Sequence, residues 1–297
     1  MNLQTRLAQG QCIIMDGGTG TEMEKRGVPM EEKGWSASST ITQPNTLRRI
    51  HEEYIHAGAD IITTNTYSSS RHVLEACDLA EKFVEINSTA VRIAREAREN
   101  VAERPVWIAG SISTTAFGQP QPPPQVAQAN LNDQAEILAE QGVDFFVLEM
   151  MRDIEYTTIA LNAAKRTGLP VWVGYSTTIN RKHQVQIDYV QEQPVLLEEA
   201  VKLLSVEDTP LISIMHTLVE DTAPSLAILK EHWSGYMGAY AHSGKFVMPN
   251  WHFIDMISPE AYAAEATKWV AEGVQVIGGC CGIGPEHIRV LKETLLG

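Results

Sequence analysis

An α/β fold of the (β/α)8 type, a TIM barrel in a single domain, is what this sequence predicts, and three observations carry it. Eight short apolar runs are spread along the chain, at Cys12–Met15, Asp60–Thr64, Val106–Ser111, Phe145–Leu148, Val171–Tyr175, Leu211–Met215, Tyr236–Tyr240 and Gln275–Ile277. Their near-continuous apolar character suits strands buried on both faces, as in a parallel sheet. Longer amphipathic stretches lie between them. The joints repeat a helix-Gly-x-strand punctuation at Ala57-Gly58-Ala59-Asp60, Gln141-Gly142-Val143-Asp144 and Glu272-Gly273-Val274-Gln275. Eight such units in 297 residues favour closure of residues 1–297 into one barrel over an open doubly wound sheet.

The helices follow from their spacing. Thr46–His56 places Leu47, Ile50 and Tyr54 on one face and stops at Ala57-Gly58. The remaining face of this helix accounts for His51 and His56 as solvated residues, and His72 reads the same way. Ala80–Ala102 carries Phe83, Ile86, Ala90, Ile93 and Ala97 as an apolar stripe. Gly118–Gln128 is rich in Pro and Gln and reads as a loop. Leu131–Gln141 ends at Gly142, and Ile154–Arg166 ends before Gly168-Leu169-Pro170. Val195–Leu204, Ala223–His232, Pro259–Glu272 and Pro285–Leu296 complete the set.

Composition narrows the function. Hydrophobic residues make up 44% and charged residues 20%, which is ordinary for a globular protein. The formal net charge is −14, so phosphate backbones and anionic membranes are poor partners. No run approaches the roughly 18 apolar residues of a membrane span. The first residues lack the apolar core of a secretory signal, so a cytoplasmic location is expected. In that compartment Cys12, Cys77, Cys280 and Cys281 are expected as thiols rather than disulfides. Small-molecule substrates remain as the expected partners, and the sequence leaves oligomerisation open.

Barrel active sites sit at the C-terminal ends of the strands, so those segments hold the candidates. Gly278-Gly279-Cys280-Cys281-Gly282 is the most specific. Two adjacent thiols reach one metal only if the backbone curls between them, which the flanking glycines permit. Thiolates select soft metals such as zinc. The same stretch also reads as two buried cysteines in a glycine-rich turn that cradles phosphate. Asp16 and Glu149 end strands and suit a substrate ammonium group, or else a turn cap and a structural ion pair. His216 and His242 each lie just past a strand, where a ligand or a hydrogen-bonded structural residue is equally expected.

Taken together, these segments resemble the homocysteine S-methyltransferase family. The resemblance runs through Asp16-Gly-Gly-Thr-Gly-Thr-Glu-Met23, Trp35-Ser-Ala37, His51-Glu-Glu-Tyr54, Ala57-Gly-Ala-Asp60 and Thr63-Thr-Asn-Thr-Tyr67. It continues through Ala109-Gly-Ser-Ile112, Gly142-Val-Asp144, Leu148-Glu149, Gly278-Gly-Cys-Cys-Gly282 and Pro285-Glu-His-Ile288. It implies a zinc-dependent barrel enzyme that moves a methyl group from a small activated donor to the thiol of homocysteine, giving methionine. It further implies substrate contacts from Asp16, Gly17, Gly18, Asn65 and Glu149, with zinc held by residues 216, 280 and 281.

Two segments depart from the family pattern. His216 stands where the family carries its first zinc cysteine. Tyr240-Ala-His-Ser-Gly244 replaces a Tyr-Pro-Asn-Ser-Gly motif. Histidine is a legitimate zinc ligand, so the expected set is His216, Cys280 and Cys281. Zn²⁺ with two thiolates and a neutral imidazole is formally neutral, whereas three thiolates leave it negative. A bound thiolate is then less electron-rich. The alternatives are a related enzyme with a different thiol acceptor or methyl donor, and an inactive binding protein. The barrel uses the whole chain and shows no Asp-x-His-x-x-Gly cobalamin motif, so a small donor such as S-methylmethionine or a betaine-like compound is expected.

Overall fold

The structure is a computed structural model that describes residues 2–187, 194–248 and 252–297. Its strands, in chain order, are β1 (Ile13–Ile14), β2 (Ile61–Thr63), β3 (Trp107–Ser113), β4 (Phe145–Met151), β5 (Val171–Tyr175), β6 (Thr178–Ile179) and β7 (Val185–Gln186). They continue with β8 (Leu211–Leu218), β9 (Tyr236–His242), β10 (Lys245–Val247), β11 (His252–Ile254) and β12 (Val276–Ile277). Eight form one parallel sheet in the order β1-β12-β9-β8-β5-β4-β3-β2. The two ends of that sheet meet through the parallel bridge Met15↔Ile61, which closes the barrel. All eight predicted runs are strands of this sheet. The pairs β6–β7 and β10–β11 are small antiparallel hairpins beyond the C-terminal ends.

Period-two alternation sorts the strand residues. Ile13, Ile61, Ala109, Phe145, Val147, Trp172, Leu211 and Val276 fill the barrel interior. Ile14, Ile62, Ile108, Phe146, Val173, Ile212 and Ile277 face outward and pack under the helices. The helix Pro44–Ala57 shows how a helix docks: Leu47, Ile50, His51 and Tyr54 are fully buried on one face. Burial of each large apolar side chain contributes about 1.5–3 kcal/mol. Gly58 ends the helix at φ +109°, and a Cβ there would meet Lys292 Cγ at 2.7 Å. Gly58→Ala therefore strains both the cap and a neighbouring helix.

Three sequence readings change. His51 is not on a solvated face but fully buried, and neither ring nitrogen has a partner among the described residues. Burial pushes its pKa down to about 4, so the ring is neutral. His72 is largely enclosed and is also pushed down by burial. The Gly118–Gln128 loop is shorter than expected, because a helix begins at Pro124 and runs to Gln141. Proline at a first helical position loses no hydrogen bond, so Pro-rich composition did not exclude helix there. No helix among the described residues is long and apolar enough to cross a membrane.

Candidate active site

The C-terminal mouth of the barrel opens into a cavity of about 590 Å³. Asp16, Gly17, Gly18, Asn65, Glu149, His216, Cys280 and Cys281 all line it. Asp16 follows β1 and is 3% exposed. It accepts from the Thr63 amide at 2.6 Å and the Thr63 hydroxyl at 2.9 Å. Burial pushes its carboxyl up to about 8, against the pull of the Thr63 bonds and with a further push from Glu149. Glu149 lies on β4 and accepts from the Ser111 hydroxyl. Loss of water around Glu149 pushes it up to about 7. Neither carboxylate forms a salt bridge among the described residues. The ion-pair reading of Glu149 thus gives way to an unpaired acid that faces a cavity.

Two β-bulges aim the side chains. Register between β4 and β5 shifts between Leu148 and Met151, and between β8 and β9 it shifts between Met215 and Leu218. Within them Met150 has φ +59° and His216 has φ +45°, a region that non-glycine residues rarely adopt. The second bulge turns His216 toward the twin cysteines. Its Nδ1 lies 3.4 Å from Cys280 Sγ, and the two sulfurs are 4.0 Å apart. One ligand atom from each of His216, Cys280 and Cys281 falls within a 4.8 Å group.

That donor set fits a divalent metal of borderline softness. Two sulfurs and one imidazole nitrogen leave one position toward the cavity, as in catalytic zinc sites. The Cys280 thiol is pushed well above its ordinary value, first by the bond with Cys281 and then by burial. A cation there reverses that balance, because ligands bind it deprotonated. His242 stacks beside His216 with centroids 4.5 Å apart. Burial, with a lesser electrostatic push from the neighbouring ring, holds His242 near pKa 4, so it is neutral.

Glycine is required where two motifs touch. A Cβ on Gly17 would lie 2.1 Å from the Ile283 carbonyl oxygen, and one on Gly18 would lie 2.7 Å from that of Cys280. The amide of Gly279 donates to the Asp16 carbonyl at 2.9 Å. Gly17 and Gly18 therefore let the acid-bearing turn and the thiol-bearing turn share one floor. Asn65 lines the cavity, but its amide is engaged elsewhere. It accepts from the Ser36 hydroxyl at 3.0 Å and donates to Thr40 Oγ1 at 3.0 Å. These bonds hold the loop that presents Trp35.

Sequence reasoning missed the aromatic wall. Trp35, Tyr67, Phe117 and Phe246 line the upper cavity. Trp35 meets Tyr67 edge-on at 6.2 Å and Phe246 at 6.4 Å, and Tyr67 meets Phe117 at 6.0 Å. The Tyr67 hydroxyl lies 2.9 Å from Thr115 Oγ1 and 2.7 Å from Met150 Sδ, within hydrogen-bond reach of both. Trp35, Phe117, Met150 and His216 are four of the seven non-glycine residues with positive φ among those described. Strain concentrated around one cavity is a mark of function. Trp35 and Tyr67 belong to segments that carry the family resemblance, whereas Phe117 sits in a loop and Phe246 in a three-residue hairpin strand, neither with a periodic signal.

Comparison with known proteins agrees with the geometry. The family model described as homocysteine S-methyltransferase matches residues 13–295. The chain is 27% identical to betaine–homocysteine S-methyltransferase 1 of Bos taurus, over 98% of this chain and 74% of that protein. It is 25% identical to a selenocysteine methyltransferase of Astragalus bisulcatus, over 96% of this chain and 93% of that one. The metallated form of the homocysteine methyltransferase MmuM from Escherichia coli superposes with a TM-score of 0.80 at 23% identity, covering 98% of this chain and 99% of that one.

Proposed function

The chain belongs to the homocysteine S-methyltransferase family, and from that footing we propose that it transfers a methyl group from a small onium donor to the thiol of homocysteine, giving methionine. The observation that carries the reading is the convergence of His216, Cys280 and Cys281 beside two unpaired carboxylates on one cavity floor. Those three residues would hold zinc. When bound, zinc lowers the pKa of a coordinated thiol so that the thiolate is present at neutral pH.

The chain's own groups do the rest. Asp16 and Glu149 take the substrate ammonium, which matches two acids that burial leaves short of a positive partner. Gly17 and Gly18 bring that turn against the thiol-bearing turn, which sets the distance between amine and sulfur. The aromatic wall faces the donor. A methylated onium carries its charge on carbon-bound hydrogens, and aromatic faces attract such cations where water is excluded. In the transfer the thiol proton leaves and the sulfur lone pair forms the S–CH3 bond. The donor's C–N or C–S bond breaks, with its electron pair left on nitrogen or sulfur. The donor becomes neutral as the charge is cancelled, so the wall releases it.

The test is methionine formation by the zinc-loaded protein with homocysteine and a panel of N-methyl and S-methyl onium donors. Zinc titration of His216→Ala should show a loss of affinity of roughly 100-fold or more. Equal affinity in both proteins removes His216 from the ligand set. His216→Cys should tighten zinc and raise the transfer rate, since a third thiolate makes the bound sulfur more electron-rich. If it tightens zinc and no homocysteine is methylated by either protein, a different thiol acceptor is the better reading.

A further inference from the structure

Two buried tyrosines reach the thiol-bearing turn from the helix layer, and they do not hold it alike. Tyr262 lies on the helix Pro259–Ala271, and its side chain is fully buried. Its hydroxyl donates to the Gly278 carbonyl at 2.7 Å and lies 3.5 Å from the Ala241 carbonyl. Gly278 stands two residues before Cys280. The Ala241 carbonyl accepts from the Cys280 amide at 2.9 Å, and Ala241 precedes His242, whose ring stacks on His216. One hydroxyl thus stands between the end of β9 and the turn that follows β12. The turn is boxed in at the same residue, since a Cβ on Gly278 would lie 2.6 Å from Met15 Cβ and 2.9 Å from the Asp16 carbonyl oxygen. Tyr262 is itself clamped. Its ring meets Trp269 edge-on at 5.7 Å and His287 at 6.1 Å. His287 is pinned in turn, accepting from the Gly284 amide at 3.2 Å and donating to the Ile257 carbonyl at 2.9 Å. Burial holds the Tyr262 hydroxyl far above its ordinary pKa, so it stays a donor.

Tyr54 supplies the contrast. It is also fully buried, on the helix Pro44–Ala57, and its hydroxyl donates to the Ile283 carbonyl at 3.2 Å. That carbonyl already accepts from the Gly18 amide at 2.9 Å, and it lies past both cysteines. Removing the Tyr54 hydroxyl leaves its acceptor satisfied. Removing the Tyr262 hydroxyl takes away the donor that answers a buried carbonyl two residues from a thiol, and a buried acceptor without a donor is costly enough to move the backbone. Partners behind metal ligands act in this way: they touch no metal, yet they set the ligand spacing that a cation requires. The spacing here is tight, with Cys280 Sγ 3.4 Å from His216 Nδ1 and 4.0 Å from Cys281 Sγ. We propose that Tyr262 is a positioning residue of the metal site: its hydroxyl holds the turn at Gly278 so that Cys280 stays within reach of a cation shared with His216 and Cys281. The inference rests on the metal part of the proposed function and is independent of the methyl donor and acceptor.

Zinc itself is the probe, and no turnover is needed. Wild type, Tyr262→Phe and Tyr54→Phe are titrated with zinc against a competing chelator, and each is loaded with cobalt(II) for absorption spectra. Phenylalanine keeps the ring and its packing, so each variant loses one hydroxyl. Tyr262→Phe should bind zinc about 10- to 100-fold more weakly, and its cobalt spectrum should change in the sulfur-to-metal charge-transfer region. Tyr54→Phe should stay within about threefold of wild type and keep the wild-type spectrum. An unchanged zinc affinity in Tyr262→Phe overturns the proposal. So does an equal loss in both variants, which would mark general loosening of the turn. A wild type that takes up no zinc removes the ligand set and this inference with it, whereas a zinc-binding wild type matched by Tyr262→Phe overturns this inference alone. Should Tyr262→Phe fail to fold, 3-fluorotyrosine placed at position 262 or at position 54 carries the test by fluorine resonance. The signal at 262 should shift on zinc loading by more than the signal at 54, and a shift no larger than that at 54 overturns the proposal. A zinc affinity that tracks the Tyr262 hydroxyl, in a protein that methylates no homocysteine, keeps this inference and rejects the proposed acceptor.

Discussion

Asp16 and Asp60 are buried equally, each 3% exposed, at opposite ends of the same two strands. At the N-terminal end, Asp60 meets Arg6 at 3.1 Å and Arg104 at 3.4 Å, and it accepts from the Ile14 amide at 3.1 Å. Asp144 repeats the arrangement with Arg98 at 3.0 Å and the Ile108 amide at 2.7 Å. Both acids close a Gly-x-Asp joint and pin the neighbouring strand. At the C-terminal end, Asp16 has only Thr63, and Glu149 has only Ser111 as a hydrogen-bond donor among the described residues. A buried acid with arginines is architecture, whereas a buried acid without a cation is a site that expects one from outside. Burial alone separates neither case, and the partner decides.

Exchanging the roles of the two aspartates gives the largest effect. Asp16→Asn should weaken homocysteine binding by about 100-fold, because a charge-assisted contact to a buried group is lost. Its thermal midpoint should hold or rise, since an unpaired buried acid is removed. Asp60→Asn should do the reverse: destabilise by about 2 kcal/mol, less than a fully enclosed pair because both arginines are partly exposed, with acceptor affinity little changed. Calorimetry for binding and thermal unfolding for stability read the two columns separately. Matching losses in both variants would erase the distinction between the two ends.

Acidity sharpens the same contrast. The folded pKa of Asp16 is raised from 3.8 to about 8, so the native state holds this proton more tightly than the unfolded chain. The stabilisation is complete below about pH 4 and is lost as pH rises toward 8. Ligand-free protein should therefore lose stability between pH 5 and 8, and Asp16→Asn should flatten that slope. Methionine brings an ammonium and no acidic thiol. Its binding at pH 7 should release on the order of one proton, seen as a dependence of the binding heat on the buffer's ionisation enthalpy. No release would mean that the floor acids are already ionised. The smallest effect belongs to Thr63→Val. It removes the 2.9 Å hydroxyl bond to Asp16 and should weaken methionine binding by about fivefold, with little change in stability.

The eight strands were legible because their apolar runs are continuous and their joints carry glycine. The floor was legible for another reason: acids, thiols and glycines at strand ends are rare chemistry in fixed order. The wall was not. Phe246 faces the cavity from a three-residue hairpin strand, and Phe117 from a loop, so neither lies in a periodic segment. His216 was readable as a candidate, but the bulge that turns it inward was not, because a bulge leaves no pattern in residue type. His51 shows the opposite failure. It lies four residues after Leu47 and three before Tyr54, on the buried stripe, and its polarity outweighed its position.

The barrel closes where β1 meets β2, through one bridge, the Asp16 amide on the Ile61 carbonyl at 2.9 Å, and the Asp16 carboxyl on the Thr63 amide at 2.6 Å. The group expected to greet the substrate is thus also the clasp of the cylinder. An ionised carboxylate holds an amide hydrogen more strongly than a protonated one does. An ammonium that keeps Asp16 ionised therefore tightens the clasp, and local opening at that joint becomes rarer. Occupancy should be readable far from any turnover assay, as slower hydrogen–deuterium exchange of the Thr63 amide when an amine is bound, with the Ile108 amide at the opposite end unmoved.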